Sequence, residues 1–71
     1  MNKSDLDEMF SYHKPEPDQI PKYEAIRAAA KEFAGVLLDN TPQSPDQTVA
    51  IRHLRNAVYS ANASIALKGQ Y

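Results

Sequence analysis

There is no cysteine anywhere in the chain. That excludes disulfides, thiolate metal sites and a thiol nucleophile together. Histidine is almost as scarce: His13 and His53 are the only two, far apart in sequence. A structural metal is not expected, and neither histidine has a nearby nucleophile with an evident third triad member. No cofactor is expected. The carboxylate grouping Asp5, Asp7 and Glu8 sits in a helix-start context that already accounts for it. A large excess of one charge is also missing. The net charge is −1, so no global field draws the chain to nucleic acid or to a membrane. No apolar run approaches the ~18 residues needed to span a bilayer. The opening residues, MNKSDLDEMF, place acids where the apolar centre of a signal peptide would lie. A cytoplasmic location is the default expectation.

What is present has to be stabilised in some other way. The 71 residues allow a single domain, residues 1–71, whose core alone would supply only ~3–5 kcal/mol. With disulfides and metal set aside, oligomerisation is the expected source of stability. The charges are unevenly spread. Residues 1–18 carry two lysines against five acids. Residues 45–68 carry Arg52, Arg55 and Lys68 against Asp46 alone. An acidic arm therefore precedes a mildly basic helical pair, and so small a local excess suits a small anion better than a long polyanion.

The dominant stretch is DQIPKYEAIRAAAKEFAGVLL, residues 18–38. Ile20, Tyr23, Ile26, Ala30, Phe33, Ala34 and Leu37 recur at helical rather than alternating spacing. Asp18 is the expected cap, and Pro21 is tolerated in the first turn. Gly35 costs about 1 kcal/mol inside a helix, which a close backbone contact would explain. Before this helix, Ser4 and Asp7 suggest a capping box for a short helix over 5–10. Its apolar side, Leu6, Met9 and Phe10, is expected to dock on the main helices. Pro15 and Pro17 make the connector between them extended. After a short turn, Ser44, Pro45 and Gln47 signal the start of a second long helix over 45–68, closed by Gly69. On it, Ala50, Leu54, Ala57, Ala61 and Ser64 form one seam, and Ile51, Val58 and Ile65 a second. Two stripes exceed what one partner helix covers, so one is expected to close the hairpin and the other to meet a second copy. The fold class is all-α: a short N-terminal helix plus an antiparallel two-helix hairpin that assembles as a homo-oligomer.

Taken residue by residue, the polar candidates have two readings each. Tyr12 either packs over the hairpin, with His13 in solvent, or offers a face on which a nucleobase stacks. Arg27 and Lys31, four apart on one helix face, either pair with Glu24 and Glu32 or bind phosphate. Composition favours the first reading in both cases. Arg52, His53, Arg55, Asn56 and Tyr59 have the look of a recognition helix, but the turn before them is too long for a helix-turn-helix and no third helix braces the pair. DNA is not expected as a partner; Arg52, Arg55, Asn56 and Tyr59 fit an oligomer interface or its rim better. A small regulator that binds protein or DNA through helix two stands as the alternative function.

One ordered string of residues goes further. Phe10-x-Tyr12-His13-x-Pro15 is followed by Gln19, then Tyr23-x-x-Ile26-Arg27-x-x-Ala30-Lys31-x-Phe33-Ala34. Next come Ala50-x-x-x-Leu54-x-x-Ala57-Val58 and Ala61-Asn62-Ala63-x-Ile65-Ala66. In order and spacing this resembles the helical-hairpin family of phage anti-CBASS sponges, related to the hairpin of the Thoeris anti-defence sponges. The resemblance implies a non-enzymatic protein that sequesters cyclic oligonucleotide signals of bacterial immunity and releases them unchanged. It implies homo-oligomers, commonly hexamers, with pockets between protomers, in the cytoplasm of the bacterial host. It gives Tyr12 the role of stacking on a base of a cyclic dinucleotide. Arg27, with Lys31 as the alternate, would pair with phosphate, and His13 would line the same pocket. A second pocket, for cyclic trinucleotides, would use Lys68. The family form of that pocket also uses a hydroxyl on helix one, where this chain has Ala28-Ala29-Ala30. Cyclic dinucleotides are therefore the expected ligands ahead of trinucleotides.

Overall fold

A computed structural model describes residues 2–70. Three helices follow one another: α1, Lys3–Met9; α2, Ile20–Asn40; and α3, Pro45–Ala66. Every described element is helical, as the periodicity requires.

Each helix boundary has a local cause. α1 starts two residues ahead of the expected position, because Asn2 rather than Ser4 is the cap. Asn2 Oδ1 accepts from the Asp5 amide at 2.9 Å, and the Asp5 carboxylate accepts from the Asn2 amide at 3.0 Å. Asn caps as well as Ser does, and this register closes the box in both directions. α2 begins at Ile20 with Gln19, not Asp18, at the cap; Gln19 makes no side-chain capping bond. It runs past Leu38 because Asn40 Nδ2 and Thr41 Oγ1 cover the carbonyls of Val36 and Leu37. α3 starts where Ser44 Oγ accepts from the Gln47 amide at 3.2 Å. The Gln47 side chain does not close a capping box with Ser44. It reaches back to the Thr41 carbonyl and hydroxyl and pins the turn instead.

The end of α3 also differs from expectation. Gly69 is left-handed, with φ 74, but Lys68 is too, with φ 55. The Lys68 amide donates to Ile65 O and the Gly69 amide to Ser64 O. These two bonds define a Schellman motif whose left-handed position is Lys68, one residue before the glycine. The helix therefore stops at Ala66.

α2 and α3 pack antiparallel, and α1 packs against neither of them. The expected docking of Leu6, Met9 and Phe10 on the main helices does not occur: Leu6 and Phe10 are exposed. Nor does Gly35 meet a close neighbour. A Cβ built there would touch nothing within 4 Å. The two stripes expected on α3 meet along the hairpin. Leu54, Ala57 and Ala61 of one and Val58 of the other line a single open trough of about 420 Å³, with Ile26 and Phe33 facing them from α2.

The molecule has no buried hydrophobic side chain among the described residues. Its accessible surface is 5759 Å², against about 4,400 Å² for a folded monomer of this mass. Its radius of gyration is 15.3 Å, against about 11 Å for a compact chain of this length. A single hairpin is a two-layer slab that leaves both faces uncovered, so the apolar stripes have nowhere to go within one chain.

Candidate functional site

The connector, residues 10–19, positions the candidate ligand-binding side chains. It folds back on the end of α1: Ser11 Oγ donates to Asp7 O, and His13 Nε2 lies 2.7 Å from Glu8 O. The Glu8 carbonyl also accepts from the Ser11 amide at 3.3 Å, so the chain closes on the end of the helix. His13 is consequently half-buried, not left in solvent. Tyr12 points away and is 86% exposed, so it does not pack over the hairpin.

The connector is tied to the hairpin at Gln19, the one buried residue among those described. Gln19 Oε1 accepts from the Glu16 amide at 3.0 Å, and Nε2 donates to Ile65 O at 3.0 Å. Beyond it, Pro15 comes against Ile20, Tyr23, Glu24 and Arg27 to line a hollow of about 300 Å³. Arg27 thus shares a hollow with the segment that carries Tyr12 and His13, and Lys31 is not part of that lining. Neither Arg27 nor Lys31 pairs with Glu24 or Glu32. Arg27 presents an unpaired guanidinium, whose planar fork matches phosphate.

Lys68 stands at a second hollow, of about 380 Å³, with Glu16, Gln19, Lys22, Ser64 and Ile65. Its ammonium is 3.1 Å from Glu16, and both side chains are more than half exposed. Such a pair contributes little to stability and yields readily to a stronger anion. Its backbone, by contrast, is costly. A non-glycine residue held left-handed is strained, and such strain collects at functional positions. The neighbouring glycine would fill the same position without that strain.

Gln19 and Glu16, which line the second hollow, were not recognisable from sequence as site residues. Gln19 bonds a carbonyl 46 residues away, and no spacing rule reaches that far. The nearest signal was its place directly before the helical stripe. A further feature is the Asn62 carboxamide, whose Oδ1 is buried with no hydrogen-bond partner. A buried acceptor without a donor costs about 1–3 kcal/mol.

Among the described residues, no helix is long and apolar enough to cross a membrane. The family model described as "Acb2/Tad1, hairpin domain" matches residues 2–66. Neither the comparison with curated proteins nor that with solved structures returned a match.

Proposed function

Because the chain belongs to the Acb2/Tad1 hairpin family, that of the anti-CBASS and anti-Thoeris sponges, we propose that it is a phage protein that sequesters cyclic oligonucleotide messengers in the host cytoplasm. Cyclic dinucleotides are its main ligands, and it holds them without cleaving them. Blocking CBASS-type signalling follows from that capture. Family membership carries the sponge role in general; the choice of ligand and of residues is our reading of the site.

The observation that supports it is an exposed Tyr12 ring on a connector whose Pro15 lines a hollow with the Arg27 guanidinium, which has no counter-charge among the described residues. Tyr12 offers its ring to a base. Arg27, in the hollow under the same connector, supplies two parallel donors to a phosphate. A cyclic dinucleotide has two bases and two phosphates, so two protomers related by symmetry can each supply one of each. His13 is held against α1 and fixes the direction in which Tyr12 leaves the chain. Lys68 is the phosphate ligand of a separate trinucleotide pocket, and Lys31 is the reserve cation on the Arg27 face.

The same reading makes the protein a homo-oligomer, with a hexamer as the expected form. The surface exposed beyond that of a compact monomer is about 1,300 Å². A standard interface covers about 800 Å² per partner, so one contact leaves much of it bare. Pockets formed between chains would be enclosed, as tight capture at low messenger concentration requires.

Calorimetric titration with a panel of cyclic di- and trinucleotides tests this reading. A dinucleotide is expected to bind tightly and to be recovered intact by chromatography. Tyr12→Ala should weaken binding by about tenfold or more, the loss of ~1–3 kcal/mol that one stacked base contributes. Arg27→Ala should do likewise, and Lys31→Ala should have the smaller effect. No heat from any ligand with a folded protein would discard the sponge reading, and linear products would make the protein a hydrolase.

A further inference from the structure

Among the described residues, α1 meets only the connector that folds back on its end. It packs against neither long helix, and Phe10 at its end is 79% exposed. A helix of seven residues does not persist alone in water, so its apolar side needs a surface. It is also acidic: residues 2–10 hold Lys3 against Asp5, Asp7 and Glu8. Asp5 and Glu8 are engaged, but the Asp7 carboxylate has no partner among the described residues.

The complementary surface lies at the closed end of the hairpin. There Leu38 and Ile51 floor a hollow of about 260 Å³, and Thr48, Arg52 and Arg55 rim it. The two arginines are three residues apart on one side of α3, and neither has a carboxylate partner. One element is apolar and acidic, the other apolar and basic, and Asp7, Arg52 and Arg55 have no counter-charge among the described residues.

They cannot meet within one chain as it is folded. α1 is tethered to the start of α2, and the hollow is beside Leu38, 18 residues along. That is about 27 Å of helix. The connector that would have to bridge it is folded against α1 by Ser11 and His13 and tied to α3 by Gln19. The contact therefore runs between copies.

We propose that α1 of one protomer docks into the Leu38–Ile51 hollow of a second copy, with Leu6 and Phe10 on the apolar floor and Asp7 toward Arg52 and Arg55. This rests on the self-association in the reading above and goes beyond it by naming the mating surfaces.

The lack of cysteine makes the test clean. Leu6→Cys and Thr48→Cys are prepared as separate full-length chains, mixed and oxidised. A disulfide-linked dimer should form in the mixture well above either variant alone. In sedimentation, Arg52→Glu with Arg55→Glu should weaken self-association by about tenfold through like-charge contact with the arm. Adding Asp7→Lys and Glu8→Lys to that chain should restore it. Arg52→Gln with Arg55→Gln, which adds no new charge, should give an intermediate loss and guards against misfolding of the reversed variant. Assembly without cross-link or charge rescue would place the arm elsewhere. Loss of ligand affinity with unchanged assembly would make the hollow a ligand site and overturn the proposal. A wild-type monomer would remove the self-association reading and the proposal together, which the other outcomes do not.

Discussion

Lys68 is the residue whose chemistry and conformation disagree most. It sits at φ 55, one position before a glycine that is also left-handed. If stability alone mattered, glycine would occupy its place. Lys68→Gly is therefore expected to raise the stability of the chain by about 1 kcal/mol, the left-handed penalty of about 1–2 kcal/mol less the extra entropy glycine loses on folding, seen as a higher thermal midpoint. The same change removes the one cation that Glu16 holds at 3.1 Å. In the proposed second pocket it should abolish trinucleotide binding and leave dinucleotide binding at Tyr12 intact. A variant that is both more stable and blind to trinucleotides would show that the strain is kept for the charge. A less stable variant would mean the Lys68–Glu16 contact outweighs the strain. Asp7, Arg27, Arg52 and Arg55 are similar in kind. Each is a full charge on a helix surface without a counter-charge in its own chain, and each is assigned a partner from outside.

At the scale of elements, what the sequence discloses depends on the range of the interaction. The start of α3 was legible because Ser44, Pro45 and the Gln47 amide act within one turn. α2 and α3 were legible from periodicity, and their antiparallel packing from the short turn. The fate of α1 was not. Its apolar residues predicted docking on the main helices, but α1 packs against neither of them. Of the candidate site, the connector could be read from proline placement, whereas Arg27 was singled out by the family resemblance, its helix face alone favouring a surface pair. The tie at Gln19 could not be read, because it joins the connector to the last turn of α3 across 46 residues. Gln19→Ala would leave the Glu16 amide without its bond and the Ile65 carbonyl with the Lys68 amide alone. It should cost about 1–3 kcal/mol in denaturant unfolding, and it should weaken ligand binding at Tyr12 by freeing the connector. Gln19→Glu keeps the acceptor for Glu16 but loses the donor to Ile65, so it should rescue neither measurement. Full ligand affinity in a destabilised Gln19→Ala protein would separate the tie from the site.

At the scale of the molecule, the proposed homo-oligomer would make folding and association one problem. A hairpin without a buried hydrophobic side chain among the described residues would gain most of its apolar burial when copies meet. Stability should then depend on concentration. Each tenfold rise in protein is expected to add roughly 1 kcal/mol per protomer, about 4–8 °C in thermal midpoint for a chain of this size. A midpoint that is independent of concentration, read by circular dichroism over a hundredfold range, would show that the single hairpin is stable by itself.

The uncovered hairpin also bears on how long each copy survives in the cell. Proteases act on chains that open, and the fraction open is set by stability. A copy made before enough others exist would be degraded quickly, while one that has joined an assembly would be spared. The pool of capturing protein would then build up sharply once synthesis outruns clearance, rather than in proportion to message. Infection would thus pass abruptly from a cell whose alarm signal circulates to one in which it is held.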